Sequence, residues 1–138
     1  MDYNVTVHTL FYNISRDEEI NSKSIRLHIR NYLQFISTLK SYYNIQEINK
    51  LVDVEPIKYS NIPKYVYVYI AGTIEMISKE ISIAVPNWVY DDYYFLSEPW
   101  FPEDMNKYLL VKDILIKTTP LPLRKRNLFA SEQVISFF

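Results

Sequence analysis

Residues 63–85, which read PKYVYVYIAGTIEMISKEISIAV, decide between the two folds that this chain allows. Pro63 follows Ser60 and Asn61, and proline suits the first position of a helix. Apolar residues then recur at the spacing of one helical face, at Val66, Ile70, Ile74, Ile77, Ile81 and Ala84. The stretch therefore predicts a buried helix.

The same stretch also has features of a β-hairpin. Residues 65–70 alternate tyrosine with valine or isoleucine, which favour strands, and Gly72-Thr73 would form the turn. Both alternate faces are apolar, however, so the run lacks the period of a half-buried strand. A glycine inside a helix costs about 1 kcal/mol, which core burial offsets. We predict an all-α fold, with an α+β fold carrying a hairpin at 63–85 as the alternative.

The longest regular periodicity lies earlier, between Ser15 and Asn44. Ser15 with Glu18 three residues later matches a capping box, and Asp17, Glu18 and Glu19 suit the positive end of a helix dipole. An apolar stripe follows at Ile25, Ile29, Tyr32, Ile36, Leu39 and Tyr43. We expect one long amphipathic helix that organises the core, with a break near Asn21-Ser22 as an alternative.

Shorter elements complete a single domain over residues 1–138. Residues 2–14 fit a helix, although Val5 and Val7 alternate with polar residues as in a strand. A helix over residues 46–52 would be capped by Asn44 and end before Pro56. Residues 86–100 form an irregular aromatic loop. A further helix is predicted to open at Pro102, Glu103 and Asp104 and to run through Met105, Leu109, Leu110 and Ile116. Pro120 and Pro122 end this helix and enforce extended backbone after it. Ser131 is predicted to cap a last turn.

The composition excludes most catalytic motifs. The chain has one glycine and no cysteine, so it contains no phosphate-binding glycine loop, nucleophile elbow or thiolate metal site. Its two histidines, His8 and His28, fit boundary positions beside apolar faces better than metal ligands. Asp91, Asp92 and Glu98 show no fixed separation that acid–base chemistry would require. We expect a protein that is not an enzyme and that uses no cofactor or metal.

Charge is segregated in the last third of the chain. Residues 86–104 carry five acids and no base, whereas residues 105–126 carry six bases against Asp113. One interpretation is that the two segments neutralise each other, with the aromatic residues covering the core. The other is that the acidic loop docks a basic partner protein. The residues predicted to bind this partner are Trp88, Tyr90, Asp91, Asp92, Tyr94, Glu98, Trp100 and Phe101.

Two basic clusters support a rival function, that of a DNA-binding regulator. Arg26 and Arg30 share a helix face with Lys23, near Asn31 and Gln34, in a stretch without acids. Arg124, Lys125 and Arg126 follow two prolines and form the second cluster. The net charge of −1 opposes non-specific coating of nucleic acid, and no helix-turn-helix is evident. A homo-oligomer remains a further alternative.

Two segments, residues 86–101 and residues 119–129 (TPLPLRKRNLF), resemble a pattern found in small uncharacterised bacterial proteins. Some of those proteins are accessory partners in toxin–antitoxin or defence-type gene pairs. The resemblance implies a non-catalytic protein with a protein partner, neutralising or regulatory in role. The chain starts without a basic segment followed by an apolar core and has no run long enough to span a membrane, so we expect a cytoplasmic location.

Overall fold

The computed structural model describes residues 6–41, 44–102 and 108–130, and within these ranges the chain is helical and contains no β-strand. The predicted all-α fold is therefore confirmed, and the alternative hairpin at 63–85 is wrong. Two 3₁₀ turns, Asn87–Tyr90 and Asp92–Tyr94, lie in the aromatic loop. The α-helices of the described ranges are α1 (Val7–Ser15), α2 (Ser22–Ser41), α3 (Ile45–Val52), α4 (Lys64–Glu80), α5 (Leu109–Thr118) and α6 (Leu121–Arg124).

Helix α4 is the element around which the rest of the structure packs. Residues 66–75 are all buried, so the helix is covered on every side rather than along one stripe. The two 3₁₀ turns and α6 pack directly against it, and Phe11 of α1 stacks on Tyr67 with ring centroids 4.1 Å apart. The sequence predicts α2 as the organising helix, but α4 holds that place. A helix that is apolar all round is stable only when its neighbours cover it completely.

The ends of α4 follow from backbone geometry. The helix begins one residue later than predicted, because Pro63 lies at the N-cap in an extended conformation. It ends at Glu80, before the predicted Val85, where Ser82 adopts a φ of 60°. The Ile83 amide then donates to the Ser78 carbonyl over 2.9 Å. This bond across a left-handed residue closes the last turn and satisfies a helix-end carbonyl.

The long helix predicted over residues 15–44 is shorter in the structure, where it corresponds to α2 and begins at the predicted break, while α1 matches the helix predicted over residues 2–14. Ser15 is the last residue of α1, and its hydroxyl donates to the Tyr12 carbonyl, so the capping box at Ser15 is wrong. The cap lies at the predicted break instead. The Ser24 amide donates to Asn21 Oδ1 over 2.9 Å, and the Asn21 amide donates to Ser24 Oγ over 3.1 Å. These reciprocal bonds start α2.

The predicted apolar stripe of α2 is confirmed where the structure describes it. Ile25, Ile29, Tyr32 and Ile36 are buried, whereas Tyr43 lies outside the described residues. The hydroxyl of Tyr32 donates to the Leu51 carbonyl over 2.9 Å, which joins α2 to α3. Asn44 caps α3 as predicted by accepting from the Glu47 amide.

The C-terminal elements differ from expectation at the prolines. Pro102, the first residue of the predicted helix, is described and is not helical, whereas α5 begins at Leu109. Residues 103–107 and 131–138 lie outside the described ranges, and with them the predicted first-turn residues Glu103 and Asp104 and the predicted cap at Ser131. Pro120 is extended, as predicted, with ψ of 144°. Pro122, in contrast, lies in the first turn of α6, where its missing amide has no helical partner to lose. This short helix brings residues 122 and 123 against α4.

Gly72, the single glycine of the chain, lies at this contact. A Cβ atom at position 72 would lie 2.5 Å from Leu123 Cδ2 and 3.2 Å from the Pro122 carbonyl oxygen. Leu123 is itself buried, so it has little room to move. The glycine is therefore required by the close approach of α6 and not by an unusual φ angle.

We expect Gly72→Ala to lower the free energy of unfolding by about 1–2 kcal/mol, even though alanine is the better helix former, because overpacking outweighs propensity. Urea unfolding followed by circular dichroism measures the change. In a Leu123→Ala background the space is free, so the same substitution should be neutral or stabilising. Equal destabilisation in both backgrounds would contradict the assigned contact.

Candidate docking surface

Two aromatic side chains of the acidic loop, residues 86–102, belong to the core. Trp88 is 9% exposed, and its Nε1 donates to the Val52 carbonyl over 2.9 Å. Tyr94 is fully buried, and its hydroxyl donates to Glu55 Oε2 over 2.8 Å. Burial and this carboxylate raise the pKa of Tyr94. Trp88 and Tyr94 therefore hold the loop onto the helices and are not accessible to a partner.

The remaining aromatic residues of the predicted docking set lie nearer the surface. Trp100 is half-buried and stacks on Tyr65 with centroids 4.4 Å apart. Phe101 is half-buried and stacks on Phe129 with centroids 5.1 Å apart. Tyr90 is exposed. These three side chains each present one edge to the surface, which a partner can contact.

The two segments of the resembled pattern form one structural unit. The Leu96 amide donates to the Arg126 carbonyl over 3.0 Å, and the Trp100 amide donates to the Asn127 carbonyl over 2.8 Å. Asn127 has a φ of 63°, and its side-chain amide donates to the Leu96 carbonyl over 2.9 Å. Asparagine tolerates this left-handed conformation better than most residues. The pattern is therefore explained by backbone pairing between the loop and the residues after α6.

A buried ion pair fastens this unit to α4. Arg126 and Glu75 are both 0% exposed, and Arg126 Nη1 donates to Glu75 Oε1 over 2.6 Å. The same guanidinium donates to the Pro122 carbonyl over 2.6 Å and to the Val89 carbonyl over 2.8 Å. Its carbon lies 4.7 Å from the Phe95 ring centroid. One side chain thus joins α4, α6 and both halves of the aromatic loop.

Further donors converge on the second oxygen of Glu75. Lys125 Nζ lies 2.6 Å and Lys79 Nζ 3.0 Å from Oε2, and the Tyr90 hydroxyl donates to it over 3.1 Å. Burial alone would raise the pKa of Glu75, but the hydrogen bonds from Lys125, Arg126 and Lys79 outweigh it and hold the pKa at about 2. Glu75 is therefore an ionised structural anchor at neutral pH, not a proton-transfer group.

Three bases of residues 105–126 form ion pairs within the described residues, and each pairs with an acid outside the acidic loop. Lys125 and Arg126 pair with Glu75, and Lys117 pairs with Asp113 inside α5. Asp91, Asp92 and Glu98 are exposed, and none of them forms an ion pair within residues 6–41, 44–102 and 108–130. Mutual neutralisation of the two segments is therefore not what the described contacts show.

An exposed apolar surface, which the sequence reading missed, adjoins the loop. Only Leu115 of α5 is buried. Half of the large apolar side chains that are exposed in the described chain belong to what we call the α5 face, namely Tyr108, Leu109, Leu110, Ile114, Ile116 and Leu121. The signal in the sequence was that apolar residues occur on nearly all sides of α5.

A groove connects the α5 face with the loop. It has a volume of about 480 Å³ and is lined mainly by Pro99 and Phe101 from the loop, Leu109 and Ile116 from α5, and Phe129. Lys112 lies over the Phe101 ring, 4.9 Å from its centroid. The walls are apolar and the ends carry charge, which is the arrangement of an interface core with a polar rim.

The predicted nucleic-acid residues are divided by the structure. Arg126 is buried, and Lys125, although exposed, pairs with Glu75, so Arg124 is the exposed cation of the second cluster that forms no ion pair within the described residues. Arg26 and Arg30 lie on α2, half-buried and exposed respectively. The second basic cluster is therefore a structural element, whereas the α2 cluster lies at the surface.

The histidines are both half-buried, and His28 Nε2 lies 2.9 Å from Asp17 Oδ2. Within the described residues no three His, Asp or Glu side chains come together as they would around a metal ion. Among the helices of those residues, none combines the length and the apolar character needed to cross a membrane.

The ion pair predicts an acid-sensitive fold. Because the pKa of Glu75 is about 2 when folded and 4.5 ordinarily, its ionised form stabilises the fold above pH 4.5, and this contribution is lost as the pH falls towards 2. We expect Glu75→Gln to lower the free energy of unfolding by about 3–5 kcal/mol at pH 7 and to flatten its decline below pH 4.5.

Asp113→Asn is the matched control, since it removes a carboxylate from an exposed pair that contributes little. Urea unfolding at several pH values measures both variants. Equal pH profiles for wild type and Glu75→Gln would show that the buried pair does not carry the acid sensitivity.

Comparison with known proteins gives no indication of function, so a functional proposal rests on the geometry of the surface. No protein-family model, curated protein or solved structure matches the chain. The resemblance of residues 86–129 to accessory partner proteins stays a prediction.

Proposed function

We propose that the protein is a non-catalytic binding module that docks a second protein on the α5 face and the adjoining acidic loop. The observation that carries this proposal is the exposure of the α5 face. Leu109 is 84% exposed and Leu110 74% exposed, although leucine ordinarily lies in a core. Contiguous exposed apolar surface of this kind marks interaction sites in soluble proteins.

The charge of the loop defines the partner. Asp91, Asp92 and Glu98 stand exposed without an ion pair in the described chain, so a partner with a basic surface gains attraction that the protein itself does not satisfy. Exposed charges at a rim act mainly on the rate of association and on orientation. The apolar groove would receive an apolar side chain that supplies most of the affinity.

The resemblance adds the role of this partner. It supports a neutralising or regulatory protein in a two-gene pair, so the product of the neighbouring gene is the first protein to test. A photo-crosslinking residue at position 110 should capture the partner, and the same residue at exposed position 27 on α2 should not. Capture at both positions, or at neither, would contradict docking at α5.

Affinity should depend on the α5 face. We expect Leu110→Ala to weaken binding of the captured partner by more than about 2 kcal/mol, the range of interface hot spots, while the melting temperature stays unchanged because the side chain is exposed. Leu27→Ala, which truncates another exposed leucine on α2, is the control. Isothermal titration calorimetry measures both.

Association kinetics should depend on the loop acids. We expect Asp92→Lys combined with Glu98→Lys to slow association about tenfold or more at low salt and to remove most of its salt dependence. Stopped-flow fluorescence measures the rate, with Glu18→Lys combined with Glu19→Lys, two exposed residues before α2, as the control that changes the net charge by the same amount. An unchanged rate in the double variant would mean that the loop does not face the partner.

A further inference from the structure

The outer face of α2 is a second surface with the opposite chemistry. The helix is 20 residues long, which corresponds to about 30 Å, and it contains no acidic residue. Its buried residues lie on one side and its exposed residues on the other. The exposed side consists of Lys23, Leu27, Arg30, Asn31, Gln34, Ser37, Thr38, Lys40 and Ser41.

Two cations on this face are not neutralised. Lys23 and Arg30 are exposed and form no ion pair within the described ranges, whereas Lys40 pairs with Glu80. Both line a groove of about 450 Å³ together with Asn21, Ser24, Arg26 and Leu27. Glu18 and Glu19 lie in the loop before the helix. The face is therefore locally cationic in a chain whose net charge is −1.

The other residues of this face distinguish between two kinds of anionic partner, a nucleic acid and an acidic protein. Beyond the cations it carries amides and hydroxyls, among them Asn31 and Gln34, which are the groups that hydrogen-bond base edges and phosphate oxygens. Leu27 is its only exposed large apolar residue in the described part of α2. A protein interface would need several aromatic or aliphatic anchors, and this face offers Leu27 alone within the described part of α2. Its composition fits nucleic acid better than an acidic protein.

We infer that the outer face of α2 binds duplex DNA by lying in the major groove, with Lys23 and Arg30 on phosphates and Asn31 and Gln34 towards base edges. A straight exposed helix fits the major groove of B-form DNA, whereas the deep and narrow major groove of duplex RNA does not admit side chains. This site is separate from the α5 face, so the inference does not depend on whether a partner protein binds there.

Salt dependence tests the phosphate contacts. Fluorescence anisotropy with a labelled DNA duplex of about 20 base pairs should show an affinity that falls about twelvefold between about 50 and 200 mM salt, as two phosphate contacts require. Lys23→Ala and Arg30→Ala should each reduce the slope of log affinity against log salt by about 0.9. Lys50→Ala, an exposed lysine on α3, should leave the slope unchanged.

Three outcomes would overturn the inference. One is the absence of binding at about 50 mM salt. Another is an equal effect of Lys50→Ala and Lys23→Ala, which would indicate a general response to charge. The third is that polyglutamate of matched charge, or duplex RNA of the same sequence, competes as well as DNA. Circular dichroism of each variant separates loss of binding from loss of fold.

Discussion

The ion pair between Glu75 and Arg126 is the interaction on which the rest of the structure depends. Both groups are fully buried, and placing two charges away from water is costly unless every donor and acceptor is satisfied. Arg126 meets most of this requirement by donating from its two Nη atoms to Glu75 and to the carbonyls of Pro122 and Val89, while its Nε has no hydrogen-bond partner in the described chain. Glu75 also accepts from two lysines and a tyrosine. The pair forms only when α4, α6 and the aromatic loop are all in place, so it specifies one arrangement of the three.

Close packing around α4 imposes a second requirement that acts with the first. Gly72 lets α6 approach α4 closely enough for Arg126 to reach Glu75, and the left-handed Asn127 turns the chain back along the loop. The exposed α5, in contrast, has one buried residue and no comparable network in the described chain. The molecule thus combines a tightly determined centre with a helix whose apolar side chains face outward, which is the contrast expected between a scaffold and a recognition element.

Local periodicity was sufficient to predict the helices but not their partners. The stripe of α2, the cap at Asn44 and the helical identity of residues 64–80 all follow from spacing and capping rules. The buried pair does not, because Leu-Arg-Lys-Arg after two prolines has the composition of a solvated surface. Its signal was Glu75, the one charge between Lys64 and Lys79 in an otherwise buried helix. Ser15 was predicted to start a helix but ends one, because the spacing of a capping box, from Ser15 to Glu18, also occurs where a helix ends.

The separation between Glu75 and Arg126 along the chain has a consequence for biosynthesis. The two residues are 51 positions apart, so a ribosome needs about 3–10 s to translate the interval between them. During that time the apolar surface of α4 has neither α6 nor the guanidinium to cover it. A nascent or prematurely terminated chain therefore exposes the apolar surface of α4 around a carboxylate that lacks its arginine partner, the kind of species that chaperones hold and proteases remove. Codon choice over the interval would then influence how much folded protein a cell accumulates.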